Sequence, residues 1–271
     1  MTSGDTVALV INTYESTVSR VLRRSFFSER ASENLRIFDE TILLINNVQN
    51  RQKADQAAQD LVTWGEISSF FHVSDLLSHA LQQIGLQPED LGRIPHYSDC
   101  VLVAPFTTDA KFLLYWDAEV TLVTPTEWVE RSIALLNRQS DVFVASPIPS
   151  RREYSRYVGE TKDFHFDYGF SDQLFLVRTE DLRKTIYREK CPASLRYPLS
   201  HVGSVAEQRL DSYMRNHSLV RALFKDATYL HEGTKWYWPT TGTETARFIK
   251  NRAVSRLLKL QPFTMSPRWK I

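Results

Sequence analysis

Phe112-Leu113-Leu114-Tyr115-Trp116-Asp117-Ala118-Glu119-Val120 runs an apolar, strand-forming stretch straight into two carboxylates one residue apart. Lys111 to Trp116 is too short to cross a bilayer and rich in strand formers, so it predicts a buried strand with Asp117 and Glu119 at or just past its carboxyl end. In open α/β sheets, ligands gather at that edge. Two hard oxygen donors there suit Mg²⁺ or Mn²⁺, and such an ion can grip a diphosphate. An isolated D-x-E is also an ordinary solvent-facing strand end, so the chemistry must come from what surrounds it.

Other residues supply candidates. Glu207 and Asp211 stand four apart on a predicted helix whose apolar stripe is Ala206, Leu210, Tyr213 and Met214, and so share a face beside the buried one. His231 ends a short strand predicted over Ala227 to Leu230. Asp172 follows Gly169-Phe170-Ser171, where a tight turn or a close approach to a site is expected. Thr13, Tyr14, Glu15, Asn46 and Asn47 fall at strand carboxyl ends, where an aromatic ring, polar side chains and backbone groups can hold a base and ribose. Arg151, Arg152 and Arg156, in a polar and aromatic stretch from Pro147 to Phe166 that reads as a surface loop, can clamp a phosphate or an anionic acceptor or simply be solvated.

The elements that must position these residues alternate. Val7 to Ile11 is a continuous apolar run that reads as a buried parallel strand, with Asn12 to Ser16 as its polar turn. One amphipathic helix is expected through Val18, Val21, Leu22 and Phe26. Thr41 to Ile45 is a second strand, and Ala54, Ala57, Ala58, Leu61 and Val62 trace a second helix face. Ile67 to Val73 is a third strand, followed by a helix capped by Ser74 and closed by Gly85. A short helix is expected around Tyr97 to Ala104, another after Pro125, and strands over Val142 to Ala145 and Gln173 to Val177. This order predicts an α/β fold with a mostly parallel central sheet, right-handed crossovers and flanking helices. A first half of about residues 1–120, a common size for a nucleotide-binding unit, precedes a second half of about 121–245, together one domain.

The 271 residues suffice for a real core, and a net charge of +1 with 12% aromatic residues gives no reason to expect nucleic acid as a partner. Cys100 and Cys191 lack metal-type spacing and fit a reducing compartment as inert core thiols. The first residues lack a signal peptide's basic and apolar regions, and no apolar run approaches the ~20 residues needed to span a bilayer. A soluble cytoplasmic protein is expected. From Ala246 to Ile271 there are seven basic residues and no acidic one, interleaved with apolar ones. That tail reads equally as a helix packed on the domain or as a peripheral contact with the inner face of a membrane.

Taken in order, these segments resemble the GT-A class of nucleotide-sugar glycosyltransferases, closest to the inverting, family-2-like enzymes. VALVINTYE looks like the opening strand and turn that cradle the nucleoside, and TILLINNVQ resembles the second strand with its base-contacting end. LLYWDAEVTL resembles the strand carrying the D-x-D metal motif, AEQRLDSYMRN the helix carrying the acid motif, and ATYLHEG the closing strand whose histidine can reach the metal. The resemblance spans about residues 7–233 and departs in three places: Asn46-Asn47 replaces an aspartate, Glu119 replaces the second aspartate of the metal motif, and Gln208 stands where a second acid is usual.

The resemblance implies a metal-dependent glycosyltransferase that moves a sugar from a nucleoside diphosphate sugar to a hydroxyl of a glycan or lipid-linked acceptor, in surface polysaccharide or glycan synthesis. Asp117, Glu119 and His231 would hold Mn²⁺ or Mg²⁺, with Asp117 also serving the nucleotide. Glu207 is the expected general base, with Asp172 and Asp211 as alternatives. The rival is a non-catalytic nucleotide- or sugar-binding protein on the same fold. A dinucleotide oxidoreductase lacks its G-x-G-x-x-G after Val7 to Ile11, and a Walker-type enzyme lacks its G-K-[ST] loop.

Overall fold

The computed structural model describes residues 4–150, 157–197, 199–232 and 238–259. The chain opens with β1 (Val7–Tyr14), α1 (Val18–Val21) and α2 (Phe26–Glu33), then β2 (Glu40–Asn46), α3 (Arg51–Thr63), β3 (Ser69–His72) and α4 (Val73–Gln83). Next come α5 (Asp99–Val103), β4 (Phe112–Asp117), β5 (Val120–Leu122), α6 (Trp128–Arg138), β6 (Val142–Pro149), β7 (Gly159–Glu160) and β8 (Phe164–Asp167). The chain continues through β9 (Leu174–Arg178), α7 (Thr179–Leu182), α8 (Ala206–Asn216), β10 (Val220–His231) and α9 (Gly242–Lys259).

Among the described residues the strands form one 10-stranded sheet in the order β3-β2-β1-β4-β9-β6-β10-β8-β7, with β5 pairing β10 off that path. β3, β2, β1, β4, β6 and β10 run in one direction, and β9 runs against its neighbours β4 and β6. The central strands are thus mostly parallel, and β9, with β5 and β8 against β10, departs from that direction. β1 is apolar from Val7 to Ile11 because both faces are covered there: Val7, Leu9 and Ile11 join one core with α2, α3 and α6, while Ala8 and Val10 join a second with α4, α5 and α8.

Several boundaries differ from expectation. β1 runs on through Asn12, Thr13 and Tyr14, because pairing with both β2 and β4 satisfies polar residues as well as apolar ones. The expected first helix is two: Ser25 takes φ 73° and separates α1 from α2. α4 starts at Val73, where the expected third strand ends, and Ser74 is inside it instead of capping it. Gly85 closes α4 with φ +73°, as its position predicts. The Pro147 to Phe166 stretch, expected as surface loop, contains the end of β6 and the β7–β8 hairpin, with Phe164 and Phe166 buried. Residues 151–156, including Arg151, Arg152 and Arg156, lie outside the described residues. β10 is far longer than Ala227 to Leu230, since it pairs β6, β8 and β5 along its length. Among the described residues no helix is long and apolar enough to cross a membrane.

Candidate active site

Parallel register sets Asn12 of β1 beside Asp117 of β4, and such neighbours project to the same face. The Asp117 amide donates to the Gln173 carbonyl at 2.8 Å, and its Oδ1 accepts from the Glu119 amide at 2.8 Å. That bond bends the chain from β4 into β5. β5 pairs antiparallel with β10, so Val120 faces His231, and the Glu232 amide donates to the Glu119 carbonyl at 2.9 Å. His231 Nε2 consequently lies 3.7 Å from Glu119 Oε2. One ligand atom from each of Asp117, Glu119 and His231 falls within 4.8 Å of the others.

Burial pushes the Asp117 carboxyl up to about 7; the Asp172 and Glu119 charges add to the rise, and the Glu119 amide and Arg20 oppose it. Carboxylates crowded against the field of their neighbours are stabilised in the ionised form by a cation beside them. Two oxygen donors and an imidazole suit Mn²⁺ or Mg²⁺, with the nitrogen favouring Mn²⁺. The buried Asn12 Oδ1, which has no hydrogen-bond partner, stands on the same face as Asp117. The residues present fit such an ion.

Arg20 holds this corner together. Its guanidinium bonds the Ala118 carbonyl and pairs with Glu232 at 2.7 Å, tying α1 to the β4–β5 turn and the end of β10. Tyr14 reaches the same place: burial, then a hydrogen bond to Glu119 and the Asp117 charge, raises its phenol. The other nucleoside candidates are held more firmly. Thr13 is fully buried with Oγ1 2.9 Å from Thr17 Oγ1. The Glu15 carboxylate accepts from the Gln49 amide at 2.7 Å and so links the turns after β1 and β2. Asn46 is 4% exposed and its amide donates to Asp99 Oδ1 at 2.8 Å, while the exposed Asn47 has φ 49°.

The second cluster lies at the same sheet edge, where Gln173 beside Asp117 leads into β9. Asp172 precedes β9, and its backbone amide donates to Glu207 Oε1 at 3.2 Å, in the first turn of α8. The two carboxyls also share a hydrogen bond: burial, then the Asp172 charge, drives Glu207 well above the carboxylate range, while burial raises Asp172 to about 6 despite that bond. Ionisation of either carboxyl therefore opposes ionisation of the other, and the two titrate as a linked pair. Tyr197, buried beside them, accepts from the Phe170 amide at 2.8 Å and donates to its carbonyl at 2.9 Å, fixing the loop that delivers Asp172. Tyr229 donates to Gln173 Oε1 at 3.1 Å and contacts Ser171 Oγ at 3.3 Å.

Asp211 does not join this cluster. It is fully buried, accepts from Ser194 at 2.6 Å and Arg196 at 2.7 Å, and pairs with Arg215 at 3.0 Å. Burial opposes its ionisation, but Arg196 and Arg215 hold it below the usual range. It is an ionised anchor with its lone pairs in use. Sequence reasoning missed Asn12, Arg20, Gln173, Tyr197 and Tyr229; only Asn12, at the end of an apolar strand, carried a signal. A separate groove of about 500 Å³ at the β3 edge, lined by Arg51, Asp55, Phe70, His72 and Asp75, shares no residue with either cluster.

No protein-family model matches the sequence, and no curated protein matches it. Among solved structures, the chain is similar to a crystal structure of GalNAc-T7 with UDP, GalNAc and Mn²⁺, at 12% identity and a TM-score of 0.53. That match covers 93% of this chain and 48% of the other, so the chain spans about half the length of that structure. A crystal structure of S. aureus TarS is more distant, at 11% identity and a TM-score of 0.48 over 96% of this chain and 40% of the other. The chain has the GT-A fold of nucleotide-sugar glycosyltransferases.

Proposed function

We propose that this protein transfers a sugar from a nucleoside diphosphate sugar to an acceptor hydroxyl, with inversion, in a single domain over residues 1–245. The observation that carries this reading is the convergence of Asp117, Glu119 and His231, from two distant parts of the chain, at the carboxyl edge of a GT-A sheet. Asp117 and Glu119 would hold a divalent ion through oxygen and His231 through nitrogen, and the ion would supply positive charge that stabilises a diphosphate leaving group. Tyr14, Glu15, Asn46 and Asn47 line the nucleoside end, where Asn46 is oriented by Asp99.

Acceptor deprotonation falls to the Asp172–Glu207 pair. The pair takes a proton at Glu207 or Asp172 from the attacking hydroxyl, and its raised affinity for protons near neutrality suits a general base. Asp117 and Asp172 are electrostatic neighbours, which sets the base beside the ion-binding corner. The GT-A fold with UDP and Mn²⁺ in the GalNAc-T7 structure supports a nucleotide donor of this kind.

The test is calorimetric titration of the protein with UDP, GDP, dTDP and CMP, with and without Mn²⁺, repeated with Asp117→Ala. Binding of one nucleotide that requires the ion and is lost in the variant is the expected result. Absence of nucleotide binding under every condition would overturn the transferase reading and favour a non-catalytic interaction protein on the same sheet.

A further inference from the structure

α9 has two faces of different character. Its inner face holds it to the domain: Glu244 pairs with Arg93 at 2.8 Å and accepts from the Thr240 amide at 2.8 Å, Asn251 donates to Ser200 Oγ at 2.8 Å, and the Phe248 ring lies 5.2 Å from that of His201. Glu244 is the only acidic residue of the helix, and it is buried in these contacts. The packing needs nothing from the opposite face.

That opposite face carries Ile249 at 63% exposure, Ala253 and Arg256, with Lys250 and Arg252 flanking it and Arg247 further round. All of them are exposed. Beside the helix, Trp238 is 69% exposed, its ring 6.4 Å from that of Phe248, over which the Arg252 guanidinium lies at 5.6 Å. A large indole and an isoleucine thus stand among these cations with most of their surface open to solvent.

We propose that this face of α9, together with Trp238, docks the protein on an anionic bilayer surface. The cations meet lipid phosphates and carboxylates, each contributing a similar increment near the surface, and Trp238 and Ile249 enter the headgroup boundary where an amphipathic ring or an aliphatic side chain is stabilised. A nucleic acid would be met by the charges alone and would leave Trp238 and Ile249 unused. This goes beyond the transferase reading and does not depend on it.

The experiment is co-sedimentation of the full chain with phosphatidylcholine vesicles, with and without phosphatidylglycerol, at low and raised salt. Two variants accompany it: Lys250→Glu/Arg252→Glu/Arg256→Glu, and Trp238→Ser/Ile249→Ser. The protein should sediment only with the anionic vesicles and be released by salt. Reversing three cations should weaken partitioning on the order of a hundredfold, and the apolar variant should weaken it by about tenfold. Failure to sediment with anionic vesicles at low salt, partitioning unchanged by either variant, or tighter retention of duplex DNA than of vesicles would each overturn the proposal. Every substituted side chain is exposed, so both variants should keep the parent melting temperature and nucleotide binding. Those readouts separate a failure here from a failure of the transferase reading.

Discussion

At the scale of single residues, the informative contrast is between two carboxylates on one helix. Glu207 and Asp211 are one turn apart on α8, yet burial and the Asp172 charge drive Glu207 well above the carboxylate range while Arg196 and Arg215 hold Asp211 below it. Glu207→Gln should therefore lower turnover by about 10²–10⁴-fold with nucleotide affinity unchanged, measured by steady-state kinetics once the donor is known. A base must be deprotonated to act, so activity should fall as pH drops through the pair's ionisation, which burial places above the ordinary carboxylate range. Asp172→Asn removes the charge that raises Glu207, and the acid limb should move to lower pH. An acid limb that stays in place would show that the pair does not titrate as a unit. Asp211→Asn, by contrast, leaves Arg196 and Arg215 without their anion and should cost about 3 kcal/mol of stability before it touches the pH profile. The sequence placed both acids on the helix. It could not tell them apart, because what distinguishes them is Arg196, fifteen residues away in the chain.

At the scale of elements, strand ends were legible and strand directions were not. Asp117, Glu119 and His231 are polar residues closing apolar runs, a pattern that period and composition reveal. The reversal of β9, the hairpin of β7 and β8, and the length of β10 follow from which strand lies beside which, and a local run of apolar residues carries no such information. The same holds for the start of α8, which depends on a close approach between distant segments. Gly92 has φ +70°, and a Cβ there would meet the Val202 carbonyl oxygen at 2.8 Å and Gly203 Cα at 2.9 Å. Both contacts are backbone, in the turn that leads through Val205 into the helix bearing Glu207. Gly92→Ala should cost about 1–3 kcal/mol, seen as a lower denaturation midpoint with an unchanged slope. A wild-type midpoint would mean that the two segments do not approach so closely.

At the scale of the whole molecule, buried carboxyls without a matching cation make stability depend on pH in a direction opposite to most proteins. Asp99 is 6% exposed, and burial raises it to about 6, although the Asn46 amide and the Cys100 amide, at 2.8 and 2.7 Å, both favour its ionised form. Its folded pKa lies above the unfolded value of 3.8, so between those values the folded state binds more protons. Stability from this group is therefore fully present below 3.8 and is lost as pH rises through about 6, by up to about 3 kcal/mol. Asp172 and Glu207 act in the same sense. Asp99→Asn keeps an acceptor oxygen for Asn46 and Cys100 and removes the charge that burial penalises. Melting temperatures of the parent, taken without divalent ions, should fall from about pH 5 to about pH 8, and the variant should show a smaller fall and a higher value at the upper pH. An equal fall in both would mean that Asp99 is not the titrating group. The destabilising carboxyl lies directly beneath Asn46, at the nucleoside end, so the molecule gives up stability at neutral pH in the place where its proposed donor is held.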